Sequence, residues 1–322
     1  MDFIEERKNL RKILGDALPE DLNTDFNLDR WLANYVKDFD LCVERVKEYL
    51  EIRSAFGHTK ESLKNFNNTE EFLNYCEIFG LSTFEEVWVN ELDNGLIFME
   101  CGVMEPSKAP HVIRAADYTR LTFGYNEYFQ SLILQHEKKS GKPSHGICYF
   151  DMQNVNIIDY INPYSSINKL FQSRVQLWFD YYGELLKHAI LINPPTFLSA
   201  LIQVMSIILP EKLLSRFIFI HNEPYDILPY LTVEAIPTFC GGSKEISVLP
   251  ISRKIDREEY IMEGEIWSEH NIIEVPYEEI TINTSKTFVT TLQVKSGQTL
   301  LYEYFASRDY EISCVHGSVL VD

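Results

Sequence analysis

Three runs in the middle of the chain, at 147–150, 189–192 and 217–220, are apolar at nearly every position. A strand with one wet face alternates, whereas a run that is apolar throughout reads as a strand covered on both faces. Helix-patterned segments stand between these runs, over roughly 163–182 and again after Pro194. Strand and helix in alternation point to a parallel sheet with helices on its faces, so the middle of the chain reads as α/β.

The flanks carry different periods. The first 80 residues are helical in pattern, and Leu41, Val43, Val46, Tyr49, Leu50 and Ile52 share one stripe of a helix that ends near Gly57. Asp38 or Asp40 is its expected cap. VWVN and GLIFMECG are short β-rich runs separated by the turn Asp93-Asn94-Gly95. An amphipathic segment from about Pro110 to Lys139 stops at Ser140-Gly141-Lys142-Pro143. After Gly241-Gly242-Ser243 comes a connection containing Arg253, Lys254, Glu258 and Glu259, then EEITIN, KTFVTTLQVKSG, QTLLYEYFA and YEISCV. Val289, Thr291, Gln293 and Lys295 alternate with Phe288, Thr290, Leu292 and Val294, the period of a half-buried strand. The expected organisation is therefore a helical region (1–80), an α/β domain (81–245) and a smaller all-β, sandwich-like domain (246–322). With about four strands the last is expected to be incomplete.

Composition narrows the functions. A net charge of -19 argues against a sequence-blind phosphate binder such as a nucleic-acid binder, which collects lysine and arginine to displace counterions. The N-terminus MDFIEERKNLRK has no apolar signal core, and no run reaches a membrane span. Six scattered cysteines without a C-x-x-C pair fit reduced thiols in the cytoplasm, and the sequons at Asn67 and Asn283 are then chance matches. None of the nucleophile-elbow, phosphate-loop, dinucleotide or zinc-helix motifs is present. His136 and His145 lack metal-ligand neighbours, nothing near Cys240 would lower its pKa, and Asp151 reads as a turn or helix cap. The expectation is no enzyme, no catalytic residue, no metal and no cofactor.

The stretch ILINPPTFLSALIQVMSIILP (190–210) puts two apolar runs around a double proline. Phe197, Leu201, Val204, Met205 and Ile208 recur at three- and four-residue steps and make one apolar face. Leaving such a face in water costs about 1.5–3 kcal/mol per large side chain, so the helix must cover something. It is either a permanent core helix or a removable lid. YYGELLKHAILINPPTFLSALIQVMSIILPEKLLSRFIFI, followed by LPYLTVEAIPTFCGGS, resembles the core signature of the CRAL-TRIO lipid-binding family, with GICYFDMQNV, DNGLIFMECG and RWLANYVKDFDLCVERVKEYLEIR in matching order before it. The likeness spans about residues 10–245. The β-rich tail is similar to the GOLD-type sandwich of some members.

The resemblance implies a cytoplasmic lipid-binding or lipid-transfer protein. One phospholipid of the phosphatidylinositol kind, or another hydrophobic molecule, would lie in a pocket under the apolar gate helix, with transient contact to a membrane surface. It also leaves open a lipid-gated trafficking or signalling adaptor whose β-sandwich binds a protein partner. Glu184 falls on the family's headgroup-binding glutamate and Arg216 on its headgroup-binding lysine, while Lys37 lies near a basic pair of the helical bundle. A carboxylate and a guanidinium together suit inositol hydroxyls and a phosphate. Read from the residues alone, Glu184 and Arg216 are equally a structural ion pair. Three departures from the family pattern are Gly183 in place of proline, Phe197 in place of a hinge glycine, and His221 in place of the glycine after the Arg216 strand.

Overall fold

Helices α1 (Ile4–Leu14), α2 (Asp25–Asn34), α3 (Phe39–Ala55) and α4 (Glu70–Phe79) fill the first 80 residues, each started by local chemistry where the sequence provides it. Thr24 Oγ accepts from the Asn27 amide at 3.1 Å to cap α2, and Thr69 does the same for Phe72 at 3.4 Å on α4. Of the two candidate caps on α3, Asp38 is the one that accepts, from the Leu41 amide at 2.9 Å. The computed structural model describes residues 3–153, 155, 157–160, 162–194, 203, 206, 207, 211–273, 275, 278–283, 286–295 and 300–303. The chain divides into two compact units, 1–260 and 261–322.

The first unit is built on a five-stranded sheet in the order β1 (Trp88–Asn90), β2 (Gly95–Cys101), β3 (Gly146–Asp151), β4 (Leu186–Ile192), β5 (Phe217–Phe219). β1 and β2 form the antiparallel hairpin that Asp93-Asn94-Gly95 predicts, and β2 to β5 run parallel. Helix α5 (Ala115–Ser140) joins β2 to β3 and α6 (Ser166–Tyr182) joins β3 to β4. Gly80 closes α4 in the left-handed region, and a Cβ there would stand 2.4 Å from the Cys101 carbonyl oxygen, so only glycine lets α4 end against β2.

Register decides which side chains share a face. Phe98, Cys148, Ala189 and Phe217 stand in one row, and Glu100, Phe150, Leu191 and Phe219 in another row on the same face. Met99, Tyr149, Ile190 and Ile218 point to the opposite face, which is buried under Ile227, Leu231, Ala235, Ile236 and Cys240. Helix α5 covers the β2–β3 end of the first face through Phe123, Phe129 and Ile133. The helices before the sheet are tied to it through a buried carboxylate. Glu127 of α5 accepts from Tyr49 at 2.5 Å, Arg53 at 2.6 Å and Tyr182 at 2.8 Å, and Arg53 also pairs with Asp21 at 2.8 Å.

Of the expected all-β domain (246–322), YEISCV and much of QTLLYEYFA lie outside the described residues. No β-strand occurs among the described residues of 246–322. The regular elements there are a single 3₁₀ turn, Arg257–Glu259, in the first unit and a short helix, Glu265–Glu269, in the second. The Glu303 carboxylate accepts from the Gly264 amide and from Trp267 Nε1 at 2.9 Å. Alternation sets which side chains of 286–295 would share a face, and no ladder joins those residues to other described ones. Val289 is 78% exposed.

Candidate functional site

Parallel neighbours bring their N-terminal ends side by side, so Glu184, just before β4, meets Arg216, just before β5. Arg216 Nη2 stands 3.1 Å from Glu184 Oε1. The other arm of the guanidinium donates to the carbonyls of Gly183 and Leu186. Lys212, on the short helix Glu211–Leu214, reaches the same Glu184 oxygen at 2.7 Å and Asn34 Oδ1 at 3.3 Å. Asn34 in turn donates to the Phe179 carbonyl at 2.9 Å, so α2, the end of α6 and the starts of β4 and β5 converge on one cluster of two cations and one carboxylate. The Arg216 side chain is 13% exposed and that of Lys212 45% exposed, so Arg216 is held by the fold while Lys212 faces solvent. The crevice beside Glu184, lined by Trp31, Gln130 and Tyr181 among others, has about 10 Å³ of free space, room for a single water.

Gly183, where the family pattern has proline, sits against this cluster. A Cβ there would stand 2.3 Å from Asn34 Oδ1, so the small residue is what lets α2 dock on the end of α6. Lys37 is exposed in the turn between α2 and α3, and no hydrogen bond or ion pair joins it to Glu184 or Arg216. Phe197, Leu201, Val204, Met205 and Ile208 lie outside the described residues. Asp151 closes a turn, as the sequence suggests: its Oδ1 accepts from the Gln153 amide and from Asn193 Nδ2, both at 2.8 Å. Cys240 is buried, and burial together with the nearby Glu223 carboxylate raises its thiol pKa, the opposite of activation. Among the described residues no group of three His, Cys, Asp or Glu side chains is arranged to hold a metal ion, and no helix is long and apolar enough to cross a membrane.

The part of the chain that carries β2 to β5, α5 and α6, with the Glu184–Arg216 pair inside it, matches a family model. The matching residues are 95–242, and the family is the CRAL/TRIO domain. This part of the chain is a CRAL/TRIO domain. Along 97% of its length the chain is 29% identical to CRAL-TRIO domain-containing protein C34C12.6 of Caenorhabditis elegans, covering 81% of that protein. It is 21% identical over 73% of its length to CRAL-TRIO domain-containing protein F28H7.8 of the same nematode, covering 57% of that one. Among solved structures, the crystal structure of Sfh5 superposes with a TM-score of 0.46 at 13% identity, covering 84% of this chain and 95% of that one.

Within the CRAL/TRIO domain, the β4–β5 end of the first sheet face is apolar and aromatic. Phe171, Val175 and Phe179 of α6 pack there with Leu214, Phe217 and Phe219, and all but Val175 are only partly buried. Sequence reasoning passed over this patch and Lys212, although both left signals. Phe171, Val175 and Phe179 follow at i, i+4, i+8 on a helix, Phe217 and Phe219 alternate on a strand, and Lys212 precedes Arg216 by four residues.

Proposed function

We propose that this chain is a non-enzymatic lipid-binding protein that holds one phospholipid of the phosphatidylinositol kind, exchanged at a membrane surface. CRAL/TRIO domains bind lipids or other small hydrophobic molecules. The observation that carries the finer reading is the pairing of an aromatic patch with a compact charged cluster on the same strands. Phe217 and Phe219 belong to β5, and Arg216 immediately precedes them. Acyl chains suit the first, because partly buried apolar area gains about 25 cal/mol per Å² when covered. A phosphate suits the second, where Arg216 offers a planar fork and Lys212 a mobile ammonium. Binding would require Arg216 to exchange a carbonyl or carboxylate acceptor for phosphate oxygens. The segment 195–210 enters this reading as the apolar gate, from its pattern of Phe197, Leu201, Val204, Met205 and Ile208.

Native mass spectrometry of protein purified from cells, followed by extraction of whatever it carries, tests the proposal. A stoichiometric phosphoinositide is the expected result. A neutral isoprenoid in its place would overturn the headgroup assignment. An empty chain that brings a protein partner with it would favour the adaptor reading over lipid carriage.

A further inference from the structure

Beyond residue 242, where the CRAL/TRIO match ends, the chain doubles back over α4 as a strap fastened at both ends. At one end the Glu86 carboxylate accepts from Lys244 Nζ at 3.0 Å, the Ser247 amide at 2.6 Å and the Val248 amide at 2.9 Å. At the other, the Arg253 amide donates to the Glu77 carbonyl at 2.9 Å and Ser252 Oγ to the Ile78 carbonyl at 3.3 Å. Between these anchors Leu249, Pro250 and Ile251 border a cavity of about 250 Å³. Its remaining walls come from α4, the turn after it, Trp88 of β1 and Met99 of β2. That is the β1–β2 edge of the sheet, at the far end of the strand order from β5 and Arg216.

The lining divides by chemistry. Leu73, Leu81, Trp88 and Met99 are apolar, and Glu77 and Glu85 add carboxylates that, unlike Glu86, accept no hydrogen bond from the strap. Among the described residues no lysine, arginine or histidine lines the space. Apolar walls favour a ligand with a greasy body. Lys244 answers Glu86 across the Trp88 ring, and Arg253, near Glu77, is paired with Glu259. The lining therefore keeps a net negative charge from Glu77 and Glu85, which favours a positive charge on the ligand and repels a negative one. A dry cavity of roughly 150 Å³ accepts benzene, so this one suits about ten non-hydrogen atoms. We infer that the cavity under the strap is a second ligand site, for a small amphipathic cation whose apolar body lies against Trp88 and Met99 and whose ammonium faces Glu77 and Glu85.

Three isosteric probes test this on the full chain by calorimetry: 3-phenylpropylamine, 3-phenylpropan-1-ol and 3-phenylpropionate. The amine is expected to bind saturably at one site, the alcohol about three- to fivefold more weakly, the difference one partly exposed charge contact makes, and the acid not at all. Glu77→Gln with Glu85→Gln should bring the amine down to the level of the alcohol. Thr83→Trp, placed in the lining, should abolish binding of both, while lipid uptake by the same variant stays at the wild-type level. Should Thr83→Trp fail to fold, the Gln pair decides alone. Equal binding of amine and acid, an amine affinity untouched by the Gln pair, or no saturable heat from any probe would overturn the site. None of these outcomes bears on the lipid reading, which rests on the opposite edge of the sheet.

Discussion

Arg216 answers Glu184 at 3.1 Å with one arm of its guanidinium while the other arm closes on the carbonyls of Gly183 and Leu186. The residue is thus a clasp between the starts of β4 and β5 as well as the candidate phosphate contact. Arg216→Ala should cost about 1–3 kcal/mol of stability, because two part-buried carbonyls lose this donor. It should also weaken phosphatidylinositol uptake by about one to two orders of magnitude, the worth of a charge-assisted contact. Uptake of an uncharged ligand such as a tocopherol separates the two effects. If it falls as steeply as phosphatidylinositol uptake, Arg216 is a clasp only.

The gate reading makes a different demand. Met205→Asp should abolish association with phosphatidylinositol-containing vesicles while leaving unfolding free energy within about 1–2 kcal/mol of wild type. A permanently packed helix would behave otherwise, because a buried, unpaired carboxylate unfolds its surroundings. Vesicle sedimentation and urea denaturation on the same preparation decide between them, and an unfolded variant would end the lid reading.

Glu127 is buried, which raises its carboxyl pKa above the usual range against the pull of Arg53 and the Tyr49 and Tyr182 hydroxyls. Removing one partner leaves the other charge stranded, so Arg53→Met should cost about 3–5 kcal/mol. The double variant Arg53→Met, Glu127→Leu should be more stable than the sum of the two single losses predicts, by about 1–3 kcal/mol. Additive losses in urea denaturation would show that the pair is not coupled.

His58 is buried against Phe123 and its Nε2 has no hydrogen-bond partner. Burial, helped by the Arg53 and Arg120 cations, lowers its pKa from 6.5 to about 4. In the unfolded chain the ring takes up its proton near its ordinary value, while the folded chain refuses it. Stability is therefore full above the unfolded value, declines as pH falls toward the folded one, and loses nothing more from this group below it. The whole span is worth about 3 kcal/mol. His58→Phe should remove that decline, so between pH 7 and 4.5 it should lose about 2–3 kcal/mol less than wild type in denaturant titrations. Parallel losses in the two proteins would refute the assignment.

Much of the architecture was already legible as period and punctuation. The apolar runs became β3, β4 and β5, the Asp93-Asn94-Gly95 turn made the β1–β2 hairpin, and Gly141 ends α5 in the left-handed region. These are local matters, set by which side chains recur on one face and which residue tolerates the turn. In the tail, Val289 to Lys295 alternate like a strand, and the all-β domain there stays a reading of the sequence.

The order of residues by itself determined the α/β middle, the helical start, the headgroup candidates Glu184 and Arg216 through the family likeness, and the acidic balance of -19. Tertiary structure alone decided that those two side chains touch, that Lys212 joins them, that Gly183 makes room for Asn34, and that Tyr49 and Tyr182 share the carboxylate of Glu127. It alone closed the strap over Trp88 and Met99. Periodicity records which neighbours along the chain share a face. Contacts between residues dozens of positions apart depend on strand order and register, and those are settled only when the whole sheet closes against its helices.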